Sequence, residues 1–169
     1  SAPECSLFCV GDDWQAIYRF TGSDLSFTTA FSERFGTTKV TALDLTFRFN
    51  NSISDVATRF ELANPIQVRK QLNTLQKVKR PAVSLLREDN RPKPGNEEPS
   101  RLEKVVARIA EIAEPGSSVY LLGRYGFNLP DRGELRRLAS SFPTLALECH
   151  TIHAAKGKEA DYVVLLGLE

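Results

Sequence analysis

Short apolar runs rich in β-branched residues recur along this chain at 6–10, 39–45, 82–86, 118–123, 145–152 and 162–168, each separated from the next by helical periodicity or turn chemistry. Runs of this length with little internal alternation suit strands buried on both faces, and their alternation with helical segments predicts an α/β fold with a mostly parallel sheet and helices on both faces. The clearest helix begins after Asn50 and Asn51, both good caps, and repeats Ile53, Val56, Ala57 and Phe60 at helical spacing before stopping ahead of Pro65. A second helix covers 101–114, with Leu102, Val105, Val106 and Ile109 on one face and Pro115–Gly116 closing it. A third spans 133–142. The polar stretch 87–100 carries three prolines and reads as a surface loop.

With 169 residues the chain can bury the core of one α/β domain but not of two. Its 22 Lys+Arg against 21 Asp+Glu give a formal charge of +1, so any contact with a polyanion must be local. The cysteines Cys5, Cys9 and Cys149 have no C-x-x-C spacing and read as reduced, buried small hydrophobes rather than a disulfide frame or zinc site. No apolar run approaches a membrane span and no basic flank precedes an apolar leader, which predicts a cytoplasmic protein without membrane contact. A start without Met and an end directly after an apolar run at Glu169 suggest a piece of a longer polypeptide.

Three strings carry chemistry. In VGDDWQAIYRFTG, residues 10–22, an apolar strand runs out into acidic, amide and aromatic side chains, at the strand end where α/β proteins gather ligands. Gln15 both donates and accepts, so it can hold a water or a γ-phosphate oxygen. Tyr18 and Phe20 share a face if extended and can stack on bases of a single strand, the plain alternative being core aromatics beside a turn. In LDLTFRFN, residues 43–50, Arg48 stands between a strand and a capped helix, where its planar fork can meet a phosphoryl group while Phe47 offers a ring to adenine. A surface arginine paired with Asp44 or Asp55 is the alternative. In TIHAAKGKEADYVVLLGL, residues 151–168, Thr151, His153, Lys156 and Glu159 surround one loop between two strands. Thr151 and His153 alternate with Ile152, so both can point away from the core and suit phosphates, whereas Glu159 suits a ribose hydroxyl.

In this order the strings resemble motifs III, IV and V of the UvrD-like superfamily 1 DNA helicases over most of the chain, and GDDWQAIYRF, the phenylalanine of TFRFN and the short gap before the third string are similar to one bacterial branch of that family. The resemblance implies a RecA-like lobe, with residues 22–169 as the second motor lobe, incomplete at its end and lacking the large inserted domain of bigger relatives, and residues 1–21 as a motif III segment of the first lobe. Gln15 resembles the γ-phosphate sensor, Arg48 the arginine finger, Phe47 the usual tyrosine stacked on adenine, and Glu159 the sugar-binding glutamate. Tyr18, Phe20, Thr151 and His153 resemble DNA-contacting residues, and SVYLLGRYGFN is similar to a further segment near DNA, which adds Arg124. The implied function is ATP-dependent 3′-to-5′ helicase or translocase activity on single-stranded DNA, with ATP and Mg²⁺ as cofactors of the full-length parent and the first lobe of the same polypeptide as partner. Because the G-x-x-x-x-G-K-[ST] loop, the acidic Walker B strand and motif VI are missing here, the segment alone is expected to bind neither cofactor, to ligate no metal and to be inactive. Two other functions fit the same fold: a catalytically silent RecA-like docking module, and the helicase part of a recombination helicase-nuclease.

Overall fold

The structure, a computed structural model, describes residues 6–12, 24, 26–63, 72–86 and 99–168. It is α/β with parallel pairing in both of its sheets, consistent with a RecA-like fold. The chain divides into two compact units, Ser1–Glu88 and Asp89–Glu169.

In the first unit two short helices, Ser26–Thr29 (α1) and Phe31–Phe35 (α2), precede a two-residue strand, Leu45–Thr46 (β1), which pairs in parallel with Asn73–Thr74 (β2). Between them runs Asn51–Glu61 (α3), ending ahead of Pro65 as its sequence predicts. The Asn50 carboxamide accepts from the Ile53 N–H at 3.1 Å and so satisfies one of the donors that a helix start leaves over. Asn51 then ties the helix to the segment after β2: its Oδ1 accepts from Val78 N at 2.6 Å, its Nδ2 donates to Val78 O at 3.3 Å and its backbone N donates to Gln76 O at 3.0 Å. The apolar runs at 6–10 and 82–86 form no strand, and 39–45 contributes only its last residue to β1.

The second unit is built on three fully parallel strands. Arg101–Ala110 (α4) starts on Ser100, whose hydroxyl accepts from Glu103 N at 3.1 Å, and leads to Ser118–Gly123 (β3) through Gly116, which takes the left-handed φ of +88° needed at the turn. A 3₁₀ turn, Gly126–Asn128, and the helix Arg132–Ser141 (α5) lead on to Ala146–Thr151 (β4) and then Tyr162–Leu166 (β5). The order is β4-β3-β5, so β3 is central, and register pairs Gly123 with both Thr151 and Leu166. All three carboxyl ends therefore reach one edge.

Alternation along β3 decides where the core lies. Val119 and Leu121 are 0 % exposed, as is Val106 of α4, and Leu138 of α5 and Leu145 complete the buried cluster. Leu102, Ile109, Leu147, Cys149, Tyr162, Val164 and Leu166 pack around it. Fully burying an aliphatic side chain contributes about 1.5–3 kcal/mol, so these few residues supply much of the driving force for the unit. On the opposite sheet face Tyr120 and Leu122 are half-buried, and Val163 and Leu165 remain 52 % and 48 % exposed. Burial pushes the Cys149 thiol up, with the Glu134 charge adding to it, so this cysteine is a neutral core neighbour. Cys9 corrects the expectation of buried cysteines, since it is exposed, and Cys5 lies outside the described residues.

At the amino edge of the sheet, Ser118 and Asp161 form a clasp. The Asp161 carboxylate accepts from Ser118 N at 2.8 Å and from its hydroxyl at 2.7 Å, while Asp161 N donates to Ser118 Oγ at 2.9 Å. Hydrogen bonding from the Ser118 backbone and then its hydroxyl holds the Asp161 carboxyl below the ordinary carboxylate value. Asp131, which caps α5 through Glu134 N and Gly133 N, is lowered for the same kind of reason. A lowered folded-state value gives stability that is complete above the unfolded value of about 3.9 and lost as pH falls through the folded value. Thermal melts of Asp161→Asn should therefore lie below wild type at neutral pH, the gap closing as pH drops below about 4; a gap unchanged by pH would remove the carboxylate from the account.

Candidate functional site

Two places present chemistry at the ends of parallel strands, one in each unit. In the first, Phe47 and Arg48 occupy the bend between β1 and α3. Thr46 Oγ1 accepts from Arg48 N at 3.4 Å, and the Thr74 hydroxyl donates to the Phe49 carbonyl, so the bend is fixed to the end of β2 as well as to its own strand. Phe47 is 66 % exposed and Arg48 is exposed beside it. Asp44, the residue before β1, accepts from Asn73 Nδ2 at 3.1 Å. A ring and a permanently charged planar fork on one bend fit the chemistry of a purine and a phosphoryl group.

In the second unit the carboxyl edge of the sheet gathers Arg124, Thr151 and His153, while Glu159 lies on the return towards β5, two residues before the Asp161 of the amino-edge clasp. Strand β4 ends at Thr151, and residues 152–157 turn instead of continuing the extended alternation expected for Thr151 and His153. Local hydrogen bonding explains the change: Thr151 Oγ1 accepts from Ala154 N at 3.2 Å, Thr151 O from Ala155 N at 3.0 Å, and Gly157 supplies a φ of +82°. Thr151 thus caps the turn from the core side of the sheet, opposite Gly123 in register, while His153 sits half-buried within the turn and Glu159 is exposed just after it. The Ile152 amide donates to Gly123 O at 2.9 Å, joining this turn to the end of β3.

Directly after β3 comes Arg124, exposed, whose Nε donates to the Tyr125 hydroxyl at 3.2 Å and whose guanidinium lies 5.5 Å from the centroid of that ring. The hydrogen bond to Tyr125 raises the Arg124 value further, so it stays a cation. Tyr125 and Phe127 stack with centroids 5.1 Å apart and planes 16° from parallel.

A second polar cluster, which the motifs do not single out, lies on the sheet face away from the core. His150 Nε2 is 2.8 Å from Glu148 Oε2 and 3.2 Å from Lys158 Nζ, and Tyr120 meets the imidazole edge-on at 5.1 Å. The spacing of Glu148 and His150 along a strand is the signal that could have found it.

Gln15, Tyr18 and Phe20 lie outside the described residues. Phe47 and Arg48 belong to the first unit; Arg124, Thr151, His153 and Glu159 belong to the second. Among the described residues no group of three or more His, Cys, Asp or Glu could hold a metal ion, and no helix is long and apolar enough to cross a membrane.

No family profile and no solved structure matches the chain. DNA helicase IV of Escherichia coli (strain K12) is 42% identical to it over 166 residues, which is 98% of this chain and 22% of that protein. The resemblance to the UvrD-like helicases is thereby borne out across nearly the whole sequence, and the chain spans about a fifth of the curated relative it matches.

Proposed function

We propose that this chain, related over nearly all its length to one segment of a UvrD-like DNA helicase, is the second motor lobe of an ATP-dependent DNA helicase, with residues 1–21 belonging to the first lobe. Its work is to complete the nucleotide site from one side and to grip single-stranded DNA. In this reading ATP, bound mainly by the first lobe, draws the lobes together because Arg48 and Gln15 gain contacts only when a γ-phosphate is present. The Arg48 fork meets the phosphoryl group, the Phe47 ring stacks on adenine without the hydrogen bond of a tyrosine, and Glu159 accepts from the ribose. Mg²⁺ neutralises phosphate charge in such chemistry, and no residue described here is assigned to hold it. Thr151, His153, Arg124, Tyr18 and Phe20 contact the strand, and alternate gripping by the two lobes moves the protein 3′ to 5′ in the cytoplasm.

The observation that carries the DNA part is the gathering of Arg124, Thr151 and His153 at one carboxyl edge of a parallel sheet, joined by the Ile152–Gly123 hydrogen bond. Salt titration of DNA binding tests it. In the parent polypeptide Arg124→Ala should weaken oligo-thymidine binding and lower the slope of log K against log[salt] by about 0.7, the value for one single-strand phosphate contact. An unchanged slope would take Arg124 out of the interface.

A further inference from the structure

Tyr125 and Phe127 are not used by that reading, and what sets them apart from the other exposed apolar side chains is that they stack on each other. Phe127 is 83 % exposed and Tyr125 50 % exposed, yet the rings are stacked. Exposed aromatic surface next to exposed aromatic surface is apolar area left in water, available to a flat apolar group that settles on it.

The turn that presents them is pinned from three sides. Tyr125 N donates to Asn128 Oδ1 at 3.1 Å and Asn128 N donates back to Tyr125 O at 3.1 Å. A Cβ at Gly123 would stand 2.9 Å from Asn128 Cβ and 3.1 Å from the Tyr125 carbonyl oxygen, so the turn folds back on the end of β3 with only a hydrogen's clearance. A Cβ at Gly167, where φ is +63°, would stand 2.5 Å from Asn128 Nδ2, so the residue after β5 closes on the same asparagine. The rings therefore stand on a preformed support and lose little freedom when something settles on them.

We propose that Tyr125 and Phe127 form a stacking platform for the bases of single-stranded DNA at the carboxyl edge of this sheet. Stacking on an aromatic face accepts any base, because every base has a π-face. Arg124 beside the rings supplies a cation for the adjoining phosphate, and the turn at 152–157, joined to the end of β3 by the Ile152–Gly123 hydrogen bond, adds exposed Lys156, a setting that favours a polyanion with flat apolar groups over an apolar protein surface. The proposal rests on the helicase reading and extends the second unit's part in it from phosphate contact to base contact.

Fluorescence anisotropy on the parent polypeptide tests it, using labelled oligo-thymidine and an abasic strand of equal length. Phe127→Ala should weaken thymidine-strand binding roughly five- to hundredfold while leaving the abasic strand unaffected, and Phe127→Trp should keep wild-type binding. Phe127→Leu, apolar but without a π-face, should behave like alanine. Thermal melts accompany each variant, and the exposure of Phe127 predicts no change in them. Wild-type binding by Phe127→Ala, an equal loss on both strands, or full binding by Phe127→Leu would each overturn the platform while leaving the helicase reading intact; the last result would point to a protein partner. A wild-type polypeptide that binds neither strand would sink both.

Discussion

Replacing Arg48 with alanine in the parent polypeptide should lower ATP turnover by about 10³- to 10⁵-fold while single-strand affinity stays near wild type. The expected loss is large because a guanidinium on the transferring phosphoryl group acts on charge that develops in the transition state, which corresponds to about 4–7 kcal/mol of barrier. Arg48→Lys should fail to restore turnover, since an ammonium is a point charge without the planar fork. Hydrogen bonds of Thr46 and Thr74 hold the bend that carries Arg48, and the Asn50 cap of α3 is made by the carboxamide of Asn50 itself, so a thermal melt of the variant accompanies the assay. Near-normal turnover in Arg48→Ala would remove this residue from the chemistry.

Leu121→Ala should destabilise the second unit by about 2–5 kcal/mol, the cost of lost transfer energy plus the cavity left behind. For a unit of this size that corresponds to a melting temperature lower by on the order of 10 °C or more. Leu121 is 0 % exposed and belongs to the cluster formed with Val106, Val119, Leu138 and Leu145, so α4 and α5 both lose a partner. Val163→Ala, from the exposed side of the same sheet, should cost under about 1 kcal/mol. Calorimetry on the two variants separates the faces, and equal losses would mean that both faces of the sheet are buried alike.

Where a strand has a neighbour its sequence reads well, and where it has none apolar content misleads. Residues 118–123, 145–152 and 162–168 become β3, β4 and β5 within a residue or two because each pairs along its length. Leu7, Phe8 and Val10 look equally strand-like in sequence but stand exposed and unladdered, as do Val83, Leu85 and Leu86. A strand needs a partner for its backbone groups, and periodicity contains no information about whether one is present. Caps were more legible, because Asn50 acts on donors three residues away in its own sequence.

Site residues divide along similar lines. The bend holding Phe47 and Arg48 follows from a strand, a polar break and a capped helix, all local features. The fate of Thr151 and His153 does not, because the choice between a continued strand and a turn rests on Thr151 capping Ala154 and on the left-handed Gly157. Pairing of Glu148, His150 and Lys158 is harder still to read, since it joins a strand to a segment beyond the intervening turn. The same holds for Tyr125 and Phe127, whose turn depends on Asn128 being closed in by Gly123 at the end of β3 and Gly167 just after β5.

The Ser118–Asp161 clasp has an implication for how such a lobe can diversify. Three hydrogen bonds lock the starting points of β3 and β5, so a slip by one position between them would forfeit all of them at once. Alignment is thus guaranteed from the far end of the sheet, and segments emerging at the other end are relieved of that duty. Outside the close packing of Gly123 and Gly167 on Asn128 they can exchange side chains without disturbing that alignment, leaving the rest of the border free to be retuned.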